Sequence, residues 1–324
     1  MIEINTFAFI IPYFGRFNNY FPLFLLSCSY NKGFDFLLFT DDTTPYDYPD
    51  NVKVHYCNFS DIQALIRNKI GEESCIERPY KLCDYRPMYG WIFTEYLSGY
   101  KAWGYCDSDV VFGDISRFVE ENDFDDYDKI GVLGHCTLFR NTDDINKAFM
   151  KPLRGKYRYK EIISTDKNNS FDEELKDSIN NIFLENNLKI KEDVGTANLY
   201  MKTSNFRLTK YDFINNCYVT EKNKQAVFIW DKGKLIRYEM HKSGLVVKEY
   251  CYLHMQSRPM KVNIMLEDGI DCFKIIPNSF DALEIYPITS ENFSCIKKKH
   301  FNLHYFRLRF KNLLIKLQRT LNGD

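Results

Sequence analysis

Residues 6–39 read TFAFIIPYFGRFNNYFPLFLLSCSYNKGFDFLLF, and this stretch decides the fold class. The apolar run Thr6–Ile11 has the length and composition of a buried strand, and Phe34–Phe39 is a second run of the same kind. Pro22–Tyr30, which lies between them, is predicted to be a helix. A strand, a helix and a strand in this order form a βαβ unit, in which the two strands are parallel. The sequence therefore predicts an α/β fold with a parallel sheet.

The same alternation continues along the chain. Further strands are predicted at Val52–Tyr56, Ala102–Cys106 and Lys129–Leu133, and further helices at Ser60–Ile70 with Ser60 as N-cap, Arg86–Leu97 and Phe171–Asn187. From residue 225 to 252 the pattern changes to short β-rich pieces with turns at residues 231–233 and 242–244, which indicates antiparallel strands added to the sheet. We predict a Rossmann-like α/β fold with a mixed, mainly parallel central sheet flanked by helices, followed by a C-terminal basic helical extension.

The overall charge restricts the class of partner. The chain has 43 Lys and Arg against 44 Asp and Glu, a net charge of -1. No global positive field attracts a polyanion, so we expect no nucleic-acid partner, and any basic function must be local.

The ten cysteines are scattered without a C-x-x-C pair. This spacing is typical neither of a zinc cluster nor of a dense disulfide scaffold, and several of the cysteines lie in apolar runs, where a reduced thiol packs as a small hydrophobic group. The first residues lack the basic region of a signal peptide, and no segment approaches the roughly 18 apolar residues that span a bilayer. We therefore expect a cytoplasmic protein.

The triplet Asp107-Ser108-Asp109 is the strongest candidate for chemistry. Two other D-x-D triplets, at residues 123–125 and 126–128, lie in an acidic loop and are interpreted as solvated surface. Asp107 and Asp109 instead interrupt an apolar run, and partly buried carboxylates need a cation or hydrogen-bond donors. At a strand end they suit Mg²⁺ or Mn²⁺ that also binds phosphate oxygens. The alternative is a carboxylate pair that caps a turn before Gly113.

Other polar residues are assigned to a donor site, each beside a structural alternative. Asp41 and Asp42 follow the second strand and either accept hydrogen bonds from a base or ribose or form a turn. Lys81, Asp84 and Arg86 are donor-site candidates in which the basic side chains either meet phosphate or form a surface salt bridge with Asp84. The remaining candidates follow the apolar run of residues 250–253 and are His254, which is either functional or structural, and Arg258 and Lys261, both suited to a diphosphate.

On the acceptor side, Asp172 and Glu173 follow a polar loop. A carboxylate there either deprotonates an acceptor hydroxyl or occupies a helix N-terminus, where the macrodipole favours acids. Gly134, His135 and Arg140 follow a predicted strand and either bind sugar hydroxyls or form a tight turn with a surface arginine.

Taken together, several ordered blocks of the chain resemble GT-A glycosyltransferases, and in particular a little-characterised bacterial family of sugar transferases linked to capsule and lipopolysaccharide synthesis. The resemblance covers roughly residues 5 to 260, and its most specific stretch runs from Lys81 to Ile115. The blocks that carry it are FTDD at 39–42, YKLCDYRP at 80–87, WGYCDSD at 103–109 with FGDI at 112–115, GHCTLFRN at 134–141, FDE at 171–173 and HMQSR at 254–258.

This resemblance implies a set of roles and a domain organisation. Asp109 would contact a Mn²⁺ or Mg²⁺ ion directly, Asp107 would bind the metal or reach the ribose or a metal-bound water, and His254 would complete the metal shell. Residues 1–260 would form a GT-A catalytic domain, with a nucleotide-sugar half at about 1–115 and an acceptor half at about 116–260. Residues 261–324 would be a C-terminal extension.

The function expected from the resemblance is transfer of a hexose, of the galactose type or glucose, from a UDP-sugar to an oligosaccharide or lipid-linked saccharide acceptor in surface-polysaccharide synthesis. Inversion at the anomeric carbon is favoured over retention if Asp172 or Glu173 is the base. A nucleotidyltransferase is the first alternative, although residues 12–16 offer only one glycine and one arginine after the first strand. The second alternative is a noncatalytic carbohydrate-binding protein.

The last thirty residues form a basic tail. From Lys297 to Arg319 eight Lys and Arg alternate with apolar residues, and no acid occurs before Asp324. Such a segment either lies on the anionic inner face of the plasma membrane or packs on the catalytic domain with its basic side chains in solvent. The absence of balancing acids favours peripheral membrane association.

Overall fold

The predicted βαβ unit is present in the computed structural model as β1 (Phe7–Tyr13), α1 (Phe21–Ser29) and β2 (Phe34–Thr40). The two strands are parallel, with register from Phe7 opposite Phe34 to Tyr13 opposite Thr40. All of β2 and most of β1 are buried because both faces of a parallel sheet are covered, which explains their continuous apolar sequences. The α/β class predicted from residues 6–39 is confirmed.

The structure describes residues 6–173, 176–192, 194–200, 205–212, 215, 217–265, 269–298, 303, 306–307, 309–311 and 313–314. The chain divides into two compact units, of which the first comprises residues 1–110, 114–195 and 213–217 and the second residues 111–113, 196–212 and 218–324. The expected boundary at residue 260, between a catalytic domain and a C-terminal extension, is not a boundary of these compact units, and it stays a prediction.

The first unit contains a seven-stranded sheet. Besides β1 and β2 it includes β3 (Val52–Tyr56), β4 (Ala102–Cys106), β6 (Lys129–Ile130), β7 (Cys136–Arg140) and β8 (Ile190–Lys191), in the order β3-β2-β1-β4-β7-β6-β8. The neighbours of β7 are antiparallel to it, and the other pairs are parallel. The sheet is therefore mixed and mainly parallel, as predicted. β5 (Val110–Phe112) follows β4 after a three-residue turn and pairs elsewhere.

The first unit contains further helices after α1. They are α2 (Phe59–Ile70), α3 (Leu82–Tyr85), α4 (Tyr89–Ile92), α5 (Asp123–Asp126), α6 (Asp143–Asn146), α7 (Arg158–Ile163) and α8 (Ile179–Glu185). The cap of α2 is Asn58, which forms a reciprocal capping box with Asp61, and Ser60 lies inside the helix. The predicted helix at 86–97 is a series of short helical turns, and the one at 171–187 begins only at Ile179.

The second unit is β-rich. A six-stranded sheet has the order β14-β13-β12-β17-β18-β16, a three-stranded sheet has the order β5-β15-β9, and β10 pairs with β11. The bounds are β9 (Thr196–Asn198), β10 (Thr209–Asp212), β11 (Cys217–Thr220), β12 (Ala226–Asp231), β13 (Lys234–His241), β14 (Gly244–Tyr250), β15 (Tyr252–His254), β16 (Lys261–Val262), β17 (Cys272–Ile276), β18 (Ser279–Ala282) and α9 (Phe293–Ile296).

The antiparallel strands predicted around residues 225–252 are confirmed, but they do not extend the first sheet. β12, β13 and β14 are joined by tight turns into their own sheet. Phe293 and Ile296 of α9 are buried in an apolar cluster with Val227 and Ile229 of β12, so this short helix belongs to the core of the second unit. No helix among the described residues is long and apolar enough to cross a membrane.

Candidate metal centre

The D-x-D triplet lies where a buried strand ends. Every residue of β4 is buried, and the Asp107 N–H then donates to the His135 carbonyl at 3.0 Å. Ser108 and Asp109 are themselves buried, and the chain continues directly into the buried β5. The two flanking strands fix the triplet from both sides. The predicted setting, with carboxylates inside an apolar run, is confirmed.

His254 is brought to the triplet by the pairing of β5 with β15, because Asp109 immediately precedes β5 and His254 ends β15. One oxygen of each carboxylate of Asp107 and Asp109 and one ring nitrogen of His254 lie within 4.8 Å of one another. Ligands of one small divalent cation lie up to about 4.2 Å apart, twice a bond of about 2.1 Å. Small side-chain rotations would therefore let the three groups hold Mn²⁺ or Mg²⁺.

The imidazole of His254 is oriented by Asn198. These two residues are opposite one another in the parallel pair of β15 and β9, and His254 Nδ1 lies 3.3 Å from Asn198 Oδ1. The same amide oxygen accepts a hydrogen bond of 2.8 Å from Gln256 Nε2. An oxygen at this position favours the tautomer with a proton on Nδ1, and in that tautomer Nε2 carries the lone pair that a metal would need.

Replacing Asn198 with Ala is expected to weaken Mn²⁺ binding about 10-fold, because loss of a partner that orients a metal-bound histidine costs this much or more. Titration of the free Mn²⁺ signal by electron paramagnetic resonance measures the affinity. Asn223→Ala is the matched control, since Asn223 Nδ2 lies 3.4 Å from the ring of a different histidine, His241. Equal affinities of wild type and Asn198→Ala would remove Asn198 from the site.

Arg86 ties the triplet to the predicted catalytic acids. Its guanidinium forms an ion pair with Asp107, donates to Asp172 Oδ2 at 2.9 Å and donates to the Gly134 carbonyl at 2.8 Å. Burial is the largest single effect and disfavours the charged guanidinium, but Asp107 and the other neighbouring groups, among them Asp172, together outweigh it, and the pKa of Arg86 is raised well above its usual value. Arg86 is therefore a permanent cation that holds the two carboxylates together.

Asp172 is buried, whereas Glu173 is partly exposed. Burial raises the pKa of the Asp172 carboxyl, against the effect of Arg86. Gly134 passes close to both acids, because a Cβ at this position would lie 3.0 Å from Asp172 Oδ2 and 3.1 Å from Glu173 Cδ. Gly134 therefore lies beside the acidic pair, and the predicted role of Gly134 and His135 in acceptor binding stays a prediction.

Lys81 and Asp84 form a buried ion pair, whereas the donor-site assignment placed them in contact with the donor. Both side chains have 0% exposure, and Lys81 Nζ lies 2.8 Å from Asp84 Oδ2. Asp84 also accepts from the N–H groups of Asn169 at 2.8 Å and Phe171 at 3.1 Å, and Lys81 donates to the Lys167 carbonyl at 2.7 Å. The pair holds the loop that precedes Asp172, and neither charge is exposed to a ligand. The alternative of a Lys81–Asp84 pair describes this geometry.

Of the two interpretations of Asp41 and Asp42, the turn describes Asp42 and contact with a ligand remains open for Asp41. Asp42 is buried and accepts from the Thr44 N–H at 3.0 Å and hydroxyl at 2.6 Å, so it forms the turn. Asp41 is exposed and accepts from the Gly15 N–H at 2.7 Å, which leaves it the better placed of the two for a ligand.

The remaining predicted basic residues are Arg140, Arg258 and Lys261. Arg140 Nη2 donates to the Tyr127 carbonyl at 3.0 Å, and Nη1 lies 3.4 Å from Asp128. Arg258 is buried and donates to the Pro277 carbonyl at 3.2 Å, whereas Lys261 is exposed on β16. The contacts of Arg140 with Tyr127 and Asp128 are structural, and its predicted role in sugar binding stays a prediction.

Lys129 and Asn180 form a buried network that sequence reasoning missed. Lys129 Nζ donates to the Gly131 carbonyl and, at 2.8 Å, to Asn180 Oδ1. Asn180 in turn donates to the carbonyls of Val132 at 2.9 Å and Glu173 at 3.1 Å. Burial lowers the pKa of Lys129 to about 7. This network fixes the backbone of Glu173, and no local pattern distinguishes Lys129 from an ordinary lysine at the start of a strand.

The fold and the site define a class: an α/β protein with a candidate divalent-metal centre at the carboxyl end of a central strand. The chain belongs to DUF6625, a family of unknown function, which it matches over residues 9–284. The match includes every candidate site residue and ends before the basic tail. No curated protein matches the chain.

Proposed function

We propose that the protein is a metal-dependent glycosyltransferase that moves a hexose from a UDP-sugar to a saccharide acceptor in surface-polysaccharide synthesis. The observation that carries the proposal is the convergence of Asp107, Asp109 and His254 at a strand end. Open α/β sheets bind nucleotides where their strands end, and two carboxylates with one imidazole suit Mn²⁺ or Mg²⁺.

The bound cation would neutralise charge on the departing nucleoside diphosphate. Asp109 and His254 hold the cation, and Asp107 either shares it or binds the ribose. Arg86 fixes Asp107 and Asp172 in one arrangement before the donor binds, since its three hydrogen-bonded partners leave it little freedom to rotate. Asp41 is the remaining exposed candidate for contacts with the base or ribose.

On the acceptor side, Glu173 is the better candidate for the base. In an inverting displacement its carboxylate takes the proton of the acceptor hydroxyl as the oxygen attacks the anomeric carbon. Asp172 is buried and bound to Arg86, which suits a positioning role. Gly134 allows the acids to approach the chain because it lacks a Cβ. We therefore assign the role of base to Glu173 and a positioning role to Asp172.

A panel of nucleotide sugars with Mn²⁺ tests the proposal. We expect UDP and one UDP-hexose to raise the melting temperature in the presence of Mn²⁺ by more than either component does alone, because metal and diphosphate bind together. Slow hydrolysis of the same UDP-hexose without an acceptor should release UDP.

Other outcomes separate the alternatives. Absence of stabilisation by any nucleoside diphosphate with Mn²⁺ or Mg²⁺ would overturn the proposal. Release of pyrophosphate from a nucleoside triphosphate and a sugar phosphate would identify a nucleotidyltransferase. Saccharide binding that is unaffected by a chelator, without donor hydrolysis, would identify a carbohydrate-binding protein.

A further inference from the structure

The basic tail presents exposed apolar side chains. Among residues 303–314, the described positions from 306 onward are helical, at 306–307, 309–311 and 313–314. All of them are exposed, including Phe306 at 59% and Phe310 at 63%. Large apolar side chains exposed together mark an interaction surface.

On a helical projection of the sequence, the exposed apolar residues fall on one side. At about 100° per residue, Phe306, Phe310, Leu313 and Leu314 cover an arc of about 100°. Arg309 borders this arc on one side, and Arg307 and Lys311 border it on the other. Basic side chains on both edges of an apolar stripe are typical of helices that lie in a membrane interface, since their long stems reach from the apolar layer to the headgroups.

The charge of the tail identifies the kind of surface. Residues 297–319 carry eight Lys and Arg and no acid, in a chain whose net charge is -1. A positive segment on a chain without net positive charge attracts an anionic partner locally. A nucleic acid would neutralise the charges but would leave the apolar stripe in water, whereas an anionic bilayer accommodates both.

We propose that the basic tail docks the protein on the surface of an anionic lipid bilayer, with the exposed Phe306, Phe310, Leu313 and Leu314 at the headgroup boundary. The docking does not rest on the proposed transfer reaction, because it uses only the tail. If both hold, docking brings the metal centre to acceptors that are themselves anchored in lipid.

Co-sedimentation with vesicles tests the proposal. Wild-type protein should bind vesicles of equal parts phosphatidylglycerol and phosphatidylcholine at least about 10-fold more strongly than pure phosphatidylcholine, because several basic side chains each contribute. The double variants Phe310→Ser/Leu313→Ser and Arg309→Glu/Lys311→Glu should each lose about 10-fold in the partition coefficient, the first through apolar area and the second through charge.

Matched controls come from exposed residues elsewhere in the second unit. Val246→Ser/Val247→Ser removes an exposed apolar pair, and Lys222→Glu/Lys224→Glu reverses two exposed charges; both should bind vesicles as wild type does. A chain truncated after Lys298 should not bind the vesicles. It retains Phe293 and Ile296, which are buried in the apolar cluster of the second unit. Equal melting temperatures establish that each variant is folded.

Three results would overturn the proposal. They are failure of wild-type protein to bind the anionic vesicles, unchanged binding by the folded tail variants, and binding to DNA without binding to vesicles. None of these results bears on nucleotide-sugar binding, so membrane docking and the proposed activity fail independently.

Discussion

Replacing Lys81 with Met is expected to lower the free energy of unfolding by about 3–5 kcal/mol, because it leaves a fully buried carboxylate without its cation. Both partners of this pair have 0% side-chain exposure, so water cannot solvate Asp84 in the variant. The Lys167 carbonyl also loses the hydrogen bond it accepts from Lys81 Nζ. The side-chain volume is nearly conserved, so the effect reports charge and hydrogen bonding and not a cavity.

Urea unfolding followed by tryptophan fluorescence measures this loss in the first unit, which contains Trp91 and Trp103. The control is Lys151→Met, which removes a partner of the surface pair with Asp144, whose side chain is 67% exposed. Exposed pairs contribute about 0–1 kcal/mol, so the control should hardly change the midpoint. A loss below about 1 kcal/mol for Lys81→Met, within the range of an exposed pair, would contradict a structural role of the buried pair.

Replacing Asp109 with Asn should reduce Mn²⁺ affinity at least about 100-fold. The substitution removes a charged ligand from a set of three, which is more severe than the 10–100-fold loss that accompanies removal of an outer-shell partner. The volume and hydrogen-bonding shape of the side chain are kept, so the fold should survive. Isothermal titration with Mn²⁺ measures the affinity, and the melting temperature without metal reports the fold.

The chain supplies its own control for this experiment. Asp126→Asn alters another D-x-D triplet, in which Asp126 is exposed at the end of α5. It should bind Mn²⁺ as wild type does. Binding of Asp109→Asn within threefold of wild type would show that the triad is not the metal centre, and would remove the main support for the proposed function. If Asp109→Asn loses metal binding but the wild-type protein binds no nucleotide, the triad is a metal site with an activity other than the proposed one.

Parts of the site followed from local sequence. The strand that ends at Asp107 could be predicted because five apolar residues are followed abruptly by carboxylates, and β4 has the predicted bounds. The distinction between this triplet and the two in the acidic loop followed from the same contrast. His254 was assigned to the metal only through the resemblance, since nothing within its own segment distinguishes a metal-binding histidine from a structural one.

Other parts could not be predicted because they depend on partners far apart in the chain. Lys81 and Arg86 are both basic residues of the same segment, yet Lys81 is buried against Asp84 and the loop at 167–171, and Arg86 reaches Asp107 and Asp172. Which of them remains available to the site is decided by packing. The contact between Lys129 and Asn180 spans 51 residues and has no local signature.

The sequence by itself determined the α/β class, the parallel order of the first strands and the position of Asp107 and Asp109 at a strand end, because hydrophobic periodicity and strand endings are local properties. It also determined the unbalanced charge of the tail. Only the tertiary structure decided that His254 forms a possible metal-binding group with Asp107 and Asp109 and lies beside Asn198, that Arg86 rather than Lys81 links the triplet to Asp172, and that the antiparallel strands form a separate sheet. These features arise from strand pairing and burial over long sequence separations, and such contacts are set by how the elements pack and not by the residues next to each site in the chain.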